Sequence, residues 1–392
     1  MDIRILENAF EKTFSEKSQF IEFTPYRICP VGAHVDHHFG KVTGFAIDKG
    51  VYIAFTPAEN TVIKVGSMQF GTIAEWDSQN VPPKQNDWAD LLRGATSELA
   101  KNHPLKYGLK CLLCGEMPVG GLSSSAAVVI CLINALCKVN GIHIDALELI
   151  DTAQKAENNY VGVMSGKLDQ CCEVYCKKDK LLYMDMKTGE HFLAEPGETM
   201  KPFSIAVFFS GIERNLASSD YNMRVRECCE AAYILKKAAG FSPLSADECR
   251  FRDVTYDEYL QYKNLLPEKL LKRAEHWYGE CGRVELAVEA WQNGDIERFG
   301  EISTQSGISS IENYEAGSAE LKKLCEIMWR THGVYGGRFS GAGFKGCCMA
   351  VVDPQKETSV LETVENEYLA AFPHLKGKFS AHICHTADGV KV

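Results

Sequence analysis

The segment between residues 115 and 126 carries the residue types that bind anions through the backbone. Two adjacent glycines, Gly120 and Gly121, are followed by three serines and then by an apolar run that predicts a helix. Glycine lets an anion approach the backbone closely, and the amide groups and positive dipole at a helix start favour phosphate. We therefore interpret the segment as a cradle for nucleotide phosphates; a serine-capped helix after a tight turn is the simpler alternative. The chain has no G-x-x-x-x-G-K-[ST] sequence, which excludes a P-loop.

A second glycine-rich segment, residues 341–346, fits the pattern G-x-G-x-x-G of dinucleotide-binding proteins. That pattern must follow a strand and open a helix, whereas here it precedes the strand-like residues 347–352. A nicotinamide-dependent enzyme is therefore not expected. The segment is either a loop that narrows the phosphate site or a plain tight hairpin.

The turn at residues 32–40 concentrates polar side chains between strand-like runs. His34, Asp36, His37 and His38 could form a zinc site, because imidazole and carboxylate groups are common zinc ligands. Two observations disfavour it. His37 and His38 would face opposite ways, and the chain has no distant H-x-H sequence to complete a hydrolase site.

The elements that must position these segments alternate irregularly between strands and helices. Strands are predicted at residues 26–31, 44–47, 51–55, 109–114, 181–186, 203–209, 338–352 and 382–385. Helices are predicted at residues 87–102, 123–140 and 144–160, and over most of the second half up to Trp329. This order predicts an α+β chain, and its length predicts two lobes, residues 1–199 and 200–392, with a cleft between them.

Composition bounds the class of protein. Hydrophobic residues make up 45% of the 392 residues and the net charge is -10, without a basic run, so no nucleic-acid partner is expected. The chain starts with an amphipathic pattern, and its most apolar segment is much shorter than the ~20 residues of a membrane span. We therefore expect a cytoplasmic protein without a membrane partner, in which the 16 cysteines are mostly reduced and buried.

Several segments, in the right order, resemble the motifs of the GHMP kinases. Residues 118–126, Pro-Val-Gly-Gly-Leu-Ser-Ser-Ser-Ala, resemble the central ATP-binding motif, residues 27–37 the N-terminal galactokinase signature, and residues 337–347 the C-terminal glycine loop. Residues 218–224 and 312–315 are also similar to galactokinase segments. The resemblance implies a two-lobed GHMP kinase fold with its active site in the cleft, and a sugar 1-kinase that uses ATP and Mg²⁺.

The resemblance also implies catalytic roles. Asp169 matches the family's catalytic aspartate, which would act as general base, and Arg27 matches the arginine that orients it and stabilises developing charge. Ser125 and Glu157 match the pair that binds Mg²⁺, a cation that prefers oxygen ligands.

The binding residues implied by the resemblance fall into two groups. The sugar would contact His34, Asp36 and Tyr221. The nucleotide would contact Trp88 beside adenine, and in the two glycine-rich segments Pro118, Gly120, Gly121, Leu122, Ser123, Ser124, Ser125, Gly341 and Gly343.

The sugar signature departs from the galactokinase pattern at two positions. Galactokinases have the sequence Glu-His-Thr-Asp-Tyr, in which Glu contacts the 6-hydroxyl of the sugar. At the same five positions this chain has Ala33 in place of the Glu and His37 in place of the Tyr. Two carboxylates ~4 Å apart repel by about 4 kcal/mol at an effective dielectric constant of ~20, so Glu would exclude a C6 carboxylate. Ala33 removes that repulsion, and His37 can donate a hydrogen bond or carry charge. These departures resemble galacturonokinases and imply D-galacturonate as substrate.

Two alternatives remain at this stage. The chain could be a galactokinase that tolerates Ala33, or a non-catalytic sensor of sugar and ATP. The presence together of Arg27, Ser125, Glu157 and Asp169 argues against the sensor.

Overall fold

The structure, a computed structural model, describes residues 2–212, 218–344 and 346–391. Three residues of the galactokinase-like segments are affected: Lys345 and the side chains of Ser218 and Ser219 lie outside the described part.

A long strand, β2 (Lys41–Pro57), is the centre of the first of two sheets. It is rich in valine, isoleucine, phenylalanine and tyrosine, which favour extended chain on a buried surface. The other strands are β1 (Phe20–Ile28), β3 (Val62–Ser67), β4 (Ile73–Asp77), β5 (Leu109–Gly115), β6 (Leu181–Asp185), β7 (His191–Ala194) and β12 (Thr386–Ala387). The order across the sheet is β4-β3-β5-β2-β6-β7, and β1 and β12 also pair with β2.

In the described part of the first half, five helices occur, and the first, third and fifth of them contact this sheet. They are α1 (Ile3–Phe14), α2 (Asp90–Asn102), α3 (Ser124–Asn140), α4 (Ala146–Lys155) and α5 (Leu168–Tyr175). Helix α3 is the most apolar, and ten of its 17 residues are buried. It ends at Gly141, whose φ of 63° is the left-handed conformation that glycine adopts without strain. Helix α4 continues into a π-helical turn, Ala156–Val161.

The second sheet is antiparallel and smaller, with the order β11-β8-β10-β9. Its strands are β8 (Ser204–Phe209), β9 (Val334–Phe339), β10 (Cys347–Val352) and β11 (Ser380–Cys384). Its helices are α6 (Ser218–Ala238), α7 (Tyr256–Tyr262), α8 (Glu268–Gln292), α9 (Ile296–Glu312), α10 (Ala319–Arg330) and α11 (Glu357–Ala371).

The α+β prediction is confirmed. Three of the predicted elements differ in detail, and the elements β3, β4, β7, β12, α5 and α11 lie outside the predicted runs. The runs at 44–47 and 51–55 are one strand, because the hydrogen bonds of β2 to its neighbours continue through Gly50. The run at 338–352 is two strands joined by the glycine loop. The helix predicted for 144–160 changes to π geometry at Ala156. The lobe boundary at residue 200 stays a prediction: β8 begins the second sheet there, but β12 returns to the first.

Candidate active site

A cavity of about 490 Å³ opens between segments from both halves of the chain. Most of the residues selected from the sequence line it: Arg27, Ala33, His34, Asp36, Trp88, Gly120, Gly121, Ser123, Ser124, Ser125, Glu157, Asp169, Tyr221 and Gly341. The cavity therefore brings together residues more than 300 positions apart in the chain, a proximity that local sequence patterns cannot predict.

Four selected residues do not line the cavity: Pro118, Leu122, Gly343 and His37. Pro118 is exposed at the turn before the glycines, while Leu122 is buried and its carbonyl accepts the Arg27 N–H at 3.3 Å. Gly343 packs against the Phe339 ring, where an added Cβ would approach within 2.2 Å. Pro118, Leu122 and Gly343 therefore shape or support their loops, and their contact with the nucleotide stays a prediction.

An ion pair joins Arg27, near the end of β1, to Asp169 in the first turn of α5. The arginine Nε and Nη2 lie 2.7 and 2.6 Å from Asp169 Oδ1, and its Nη1 donates to the Gly121 carbonyl at 3.0 Å. Arg27 is buried, whereas 28% of the Asp169 side chain is exposed toward the cavity it lines. Burial opposes the charge of Arg27, but the Asp169 carboxylate outweighs burial and raises the arginine pKa. A fixed cation thus ties the carboxylate to the glycine loop.

The two glycine-rich loops meet backbone to backbone. Gly121 has a φ of +89°, and a Cβ there would lie 2.5 Å from Cys347 Sγ. A Cβ on Gly341 would lie 3.0 Å from the Gly121 Cα, and one on Gly346 would lie 2.9 Å from the Gly120 carbonyl carbon. Only glycine allows this approach. The second glycine segment is therefore the loop of the β9–β10 hairpin and lies beside the start of α3. That it narrows a phosphate site stays a prediction.

The candidate metal residues Glu157 and Ser125 face each other. Glu157 lies in the π turn after α4, a geometry that often marks functional sites, and its Oε2 accepts from Ser165 Oγ at 3.0 Å and Gln170 Nε2 at 3.1 Å. Burial, and then the charge of Asp169, raise the pKa of Glu157, while a hydrogen bond from Ser125 lowers it. A carboxylate and a hydroxyl in contact beside a phosphate loop suit Mg²⁺, which takes a few protein oxygens together with phosphates and water.

Asp36, His34 and Tyr221, which were predicted to contact the sugar, also line the cavity. Asp36 Oδ2 accepts from the Leu168 N–H at 3.4 Å, and burial, followed by the charge of Asp169, raises its pKa to about 6. The His34 ring stacks on Tyr314 with centroids 4.5 Å apart. These groups can accept or donate hydrogen bonds, as a sugar ring requires.

His37 lies behind this wall. Its Nε2 is 3.1 Å from the Tyr314 hydroxyl, and its ring meets Tyr221 edge-on at 6.0 Å. Burial, and then the charge of Arg250, lower its pKa to about 3, so the ring is neutral. His37 therefore does not line the cavity in this structure, and its contact with the sugar stays a prediction. Ala33, in contrast, lines the cavity as expected.

Trp88, which was predicted to contact adenine, lies beside an aromatic residue that sequence reasoning missed. Its Nε1 donates to Thr72 Oγ1 at 2.9 Å, and its ring stacks on Phe70, with centroids 5.4 Å apart and planes at 22°. Both rings line the cavity, and Phe70 is half exposed. Phe70 follows strand β3 in an irregular loop, so no periodic pattern marked it.

Two residues of α8 that the sequence analysis also missed hold the turn at residues 32–40, which we call the sugar turn after the predicted role of His34 and Asp36. Glu280 Oε1 accepts the Gly32 N–H at 2.8 Å, and His276 Nε2 donates to the Ala33 carbonyl at 3.0 Å. Both side chains are fully buried and lie four residues apart on one face of the helix. The sequence feature that could have identified them is a pair of polar residues, spaced four apart, on the face of a helix that packs against the core.

None of the helices in the described part of the chain has the length and hydropathy of a membrane span. Within the same residues, no group of three or more His, Cys, Asp and Glu side chains is arranged to hold a metal ion.

Family models match three parts of the chain. The GHMP kinases N terminal domain matches residues 90–177, GHMP kinases C terminal matches residues 287–371, and the galactokinase galactose-binding signature matches residues 8–57.

Individual relatives match over nearly the full length. The chain is 38% identical to a galacturonokinase of Arabidopsis thaliana, covering 94% of this chain and 92% of that protein. It is 32% identical to a galactokinase of Lactiplantibacillus plantarum, with 100% of both covered. The structure of Lactococcus lactis galactokinase complexed with galactose superposes with a TM-score of 0.89 at 28% identity over 100% of both chains. Methanococcus jannaschii mevalonate kinase, at 15% identity and a TM-score of 0.65 over 94% of this chain and 98% of that one, shares the fold.

Proposed function

We propose D-galacturonate as the substrate of this chain, which belongs to the GHMP kinases and, within them, to the sugar 1-kinases. The reaction would convert D-galacturonate and ATP to galacturonate 1-phosphate and ADP. The observation that carries the proposal is the methyl group of Ala33 on the cavity wall, where galactokinases have a glutamate. The 38% identity to a galacturonokinase supports the same choice.

The Arg27–Asp169 pair would perform the proton transfer. Asp169 Oδ1 is held by two N–H groups of Arg27, so the carboxylate cannot swing away from the cavity without losing both contacts. We assign Asp169 to accept the proton of the anomeric hydroxyl, and Arg27 to orient it and to offset the charge that develops during transfer. Because Arg27 also binds the Gly121 carbonyl, the same side chain sets the distance between this carboxylate and the phosphate loop.

Ser125 and Glu157 would hold Mg²⁺. A divalent cation bound there would neutralise charge on the nucleotide phosphates. Ser165 and Gln170 orient the Glu157 carboxylate and leave it buried beside Ser125. The Phe70–Trp88 pair offers an apolar, partly stacked surface for the adenine ring.

Galactose is the second candidate substrate. It is favoured by the galactokinase relatives at 28–32% identity and by the superposition on the Lactococcus lactis enzyme. Ala33 leaves room for a 6-hydroxyl as well as for a carboxylate, so the cavity does not exclude galactose by size. The discrimination must therefore be measured.

A substrate panel tests the proposal. Purified enzyme with ATP and Mg²⁺ is assayed for sugar 1-phosphate on D-galacturonate, D-glucuronate and D-galactose, with Asp169→Asn as the control for contaminating kinases. We expect kcat/KM to be highest for galacturonate. A higher kcat/KM for galactose would overturn the uronate assignment and leave the sugar 1-kinase activity standing.

A further inference from the structure

Asn222, near the start of α6, joins the two halves of the chain beside the cavity. Its Oδ1 accepts the Met164 N–H at 3.0 Å, and its Nδ2 donates to the Gly162 carbonyl at 3.0 Å. A backbone N–H only donates and a carbonyl oxygen only accepts, so the two bonds fix the orientation of the side-chain amide. Both bonds hold one short stretch of backbone, the 162–166 segment, which follows the π turn and has no regular secondary structure.

Both sides of this contact reach the candidate sugar site. On α6, Tyr221 lines the cavity, and on the 162–166 segment so do Ser165 and Gly166. The segment lies so close to Asp36 that a Cβ on Gly166 would be 2.4 Å from the Asp36 Oδ2 atom. A shift of the segment would therefore change the wall that the sugar is proposed to meet.

The 162–166 segment also orients the candidate metal carboxylate. The Ser165 carbonyl accepts from the Gln154 and Asn158 side chains at 3.0 and 3.2 Å. Ser165 Oγ lies 3.0 Å from Glu157 Oε2 and also 3.0 Å from Asn158 Oδ1. A hydroxyl has a single hydrogen, so it donates to only one of these acceptors at a time. A small displacement of the segment is therefore enough to turn the hydroxyl away from Glu157.

We infer that Asn222 is a positioning residue that holds the 162–166 segment against α6. The segment in turn keeps the Ser165 hydroxyl on the Glu157 carboxylate. Asn222 is not among the described residues that line the cavity, so it acts through the segment and not on a ligand. The inference rests on the proposed roles of Glu157 and Tyr221, and it holds for either candidate sugar. A sugar at Tyr221 and Mg²⁺ at Glu157 should then strengthen each other's binding, because each fixes one side of the same contact.

The kinetics of Asn222→Ala test the inference. We call the Mg²⁺ concentration that gives half-maximal activity at fixed ATP the Mg²⁺ requirement. Because both hydrogen bonds to the segment are lost, this requirement should rise at least about fivefold, and the KM for the sugar should rise with it. At saturating sugar, ATP and Mg²⁺ the ligands themselves hold the segment, so kcat should stay within about threefold of wild type. This split between KM and kcat distinguishes positioning from a catalytic role.

Hydrogen–deuterium exchange gives a readout that needs no turnover. In the protein without ligands, Asn222 protects the Met164 amide, and we expect this amide to exchange at least about tenfold faster in Asn222→Ala. Asn140→Ala is the matched control, because Asn140 Oδ1 accepts the Lys106 and Tyr107 N–H groups at 2.8 and 2.9 Å and is not among the described residues of the cavity wall. That variant should expose its own two amides and leave the Met164 amide and the Mg²⁺ requirement unchanged.

A double-mutant cycle tests whether the effect passes through Ser165. Ser165→Ala deletes the hydroxyl, so adding Asn222→Ala to it should change the Mg²⁺ requirement little further. Asn222→Asp replaces Asn222→Ala if the alanine variant does not fold. It keeps the shape of the side chain but cannot donate to Gly162. Its negative charge would by itself attract Mg²⁺, so a higher Mg²⁺ requirement in this variant cannot be a charge effect.

The contrary outcomes separate the inference from its premise. An unchanged Mg²⁺ requirement in Asn222→Ala, an equal rise in Asn140→Ala, or additive effects of Asn222→Ala and Ser165→Ala would overturn the role of Asn222. In each of these cases a raised requirement in Glu157→Gln would leave the proposed metal site standing. A requirement that is unchanged in Glu157→Gln would overturn that metal site, and the inference with it.

Discussion

Residue 33 contributes only a methyl group to the cavity wall. Ala33 lines the wall between His34 and the buried side chains of α8, and its carbonyl is held by His276. Since His37 lies outside the cavity, residue 33 is the departure from the galactokinase signature that can meet the substrate directly. Selectivity should accordingly respond to one substitution rather than two.

We expect Ala33→Glu to shift the ratio of kcat/KM for galacturonate over galactose toward galactose by at least about a hundredfold, or ~2.7 kcal/mol. The added carboxylate would repel a C6 carboxylate by several kcal/mol, partly relieved by protonation or movement, whereas a 6-hydroxyl could donate to it. Steady-state kinetics on both sugars measures the ratio. Ala33→Gln is the matched control, with similar bulk and no charge. An equal shift in both variants would make the effect steric and refute the electrostatic argument.

Asp169→Asn should lower kcat by about 10² to 10⁴-fold while sugar binding stays within a fewfold of wild type. Asparagine keeps the shape and an oxygen for Arg27, but it cannot serve as the base or compensate the buried guanidinium charge. Kinetics and calorimetric sugar binding separate the two effects. Asp151→Asn is the control, since Asp151 is similarly exposed and pairs with Lys167 at 2.5 Å. Comparable activity in the two variants would remove Asp169 from the mechanism.

At the scale of elements, the site depends on two loops that pack without side chains. Gly121 stands in the phosphate loop before α3, and its neighbour across the contact is Cys347, the first residue of β10. The contact holds the second half of the chain against the start of the helix that the phosphates would approach. Backbone shape, rather than a side chain, therefore defines this part of the cavity.

Gly121→Ala should raise the KM for ATP by at least about tenfold, because a Cβ would lie 2.5 Å from Cys347 Sγ and push the loops apart. Gly240→Ala is the control, as Gly240 has the same φ of +89° and nothing within 4 Å of an added Cβ. Both variants have comparable backbone strain, about 1 to 2 kcal/mol. The KM for ATP and the thermal midpoint are measured for each. Equal changes in KM would show that strain alone, not the loop contact, is responsible.

Most helices and strands, and the positions of the two glycine-rich loops, could be predicted from the sequence because they depend on local sequence patterns. Helix α3 begins within the serine run, at Ser124, and ends before Gly141, close to the predicted bounds, although Ser123 makes no capping hydrogen bond. The continuity of β2 through Gly50 could not be read in this way, since it depends on pairing with β1 and β5. The stacking of Phe70 on Trp88 likewise depends on how a loop without periodicity folds back.

For the whole molecule, a buried charge network joins the two halves of the chain. Glu280 on α8 binds Gly32 of the sugar turn, Ser306 of α9, Arg283 and Arg338. Burial alone would raise the Glu280 pKa, but the charges of Arg283, His276 and Arg338 outweigh it and lower the pKa to about 2. The position of the sugar turn is therefore set by a residue nearly 250 positions away in the chain, whose carboxylate is buried and cannot exchange the Gly32 N–H for water.

Glu280→Gln should lower the free energy of unfolding by roughly 3 to 5 kcal/mol at pH 7, because it leaves buried arginine charge uncompensated. It should also raise the KM for the sugar, since Gly32 loses a charged acceptor. A carboxylate with a lowered folded pKa stabilises the fold above its unfolded pKa of 4.5, and this contribution is lost as the pH falls from about 4.5 to about 2. Urea unfolding of both proteins at pH 7, 5 and 4 should therefore show a difference that is constant down to about pH 5 and then shrinks. The control is Glu285→Gln on the same helix. Glu285 is about half exposed and pairs with Lys41, so this variant should lose under about 1 kcal/mol of unfolding free energy. Equal destabilisation by the two variants, or a Glu280→Gln difference that grows as the pH falls below 5, would contradict the role of this network in holding the sugar turn.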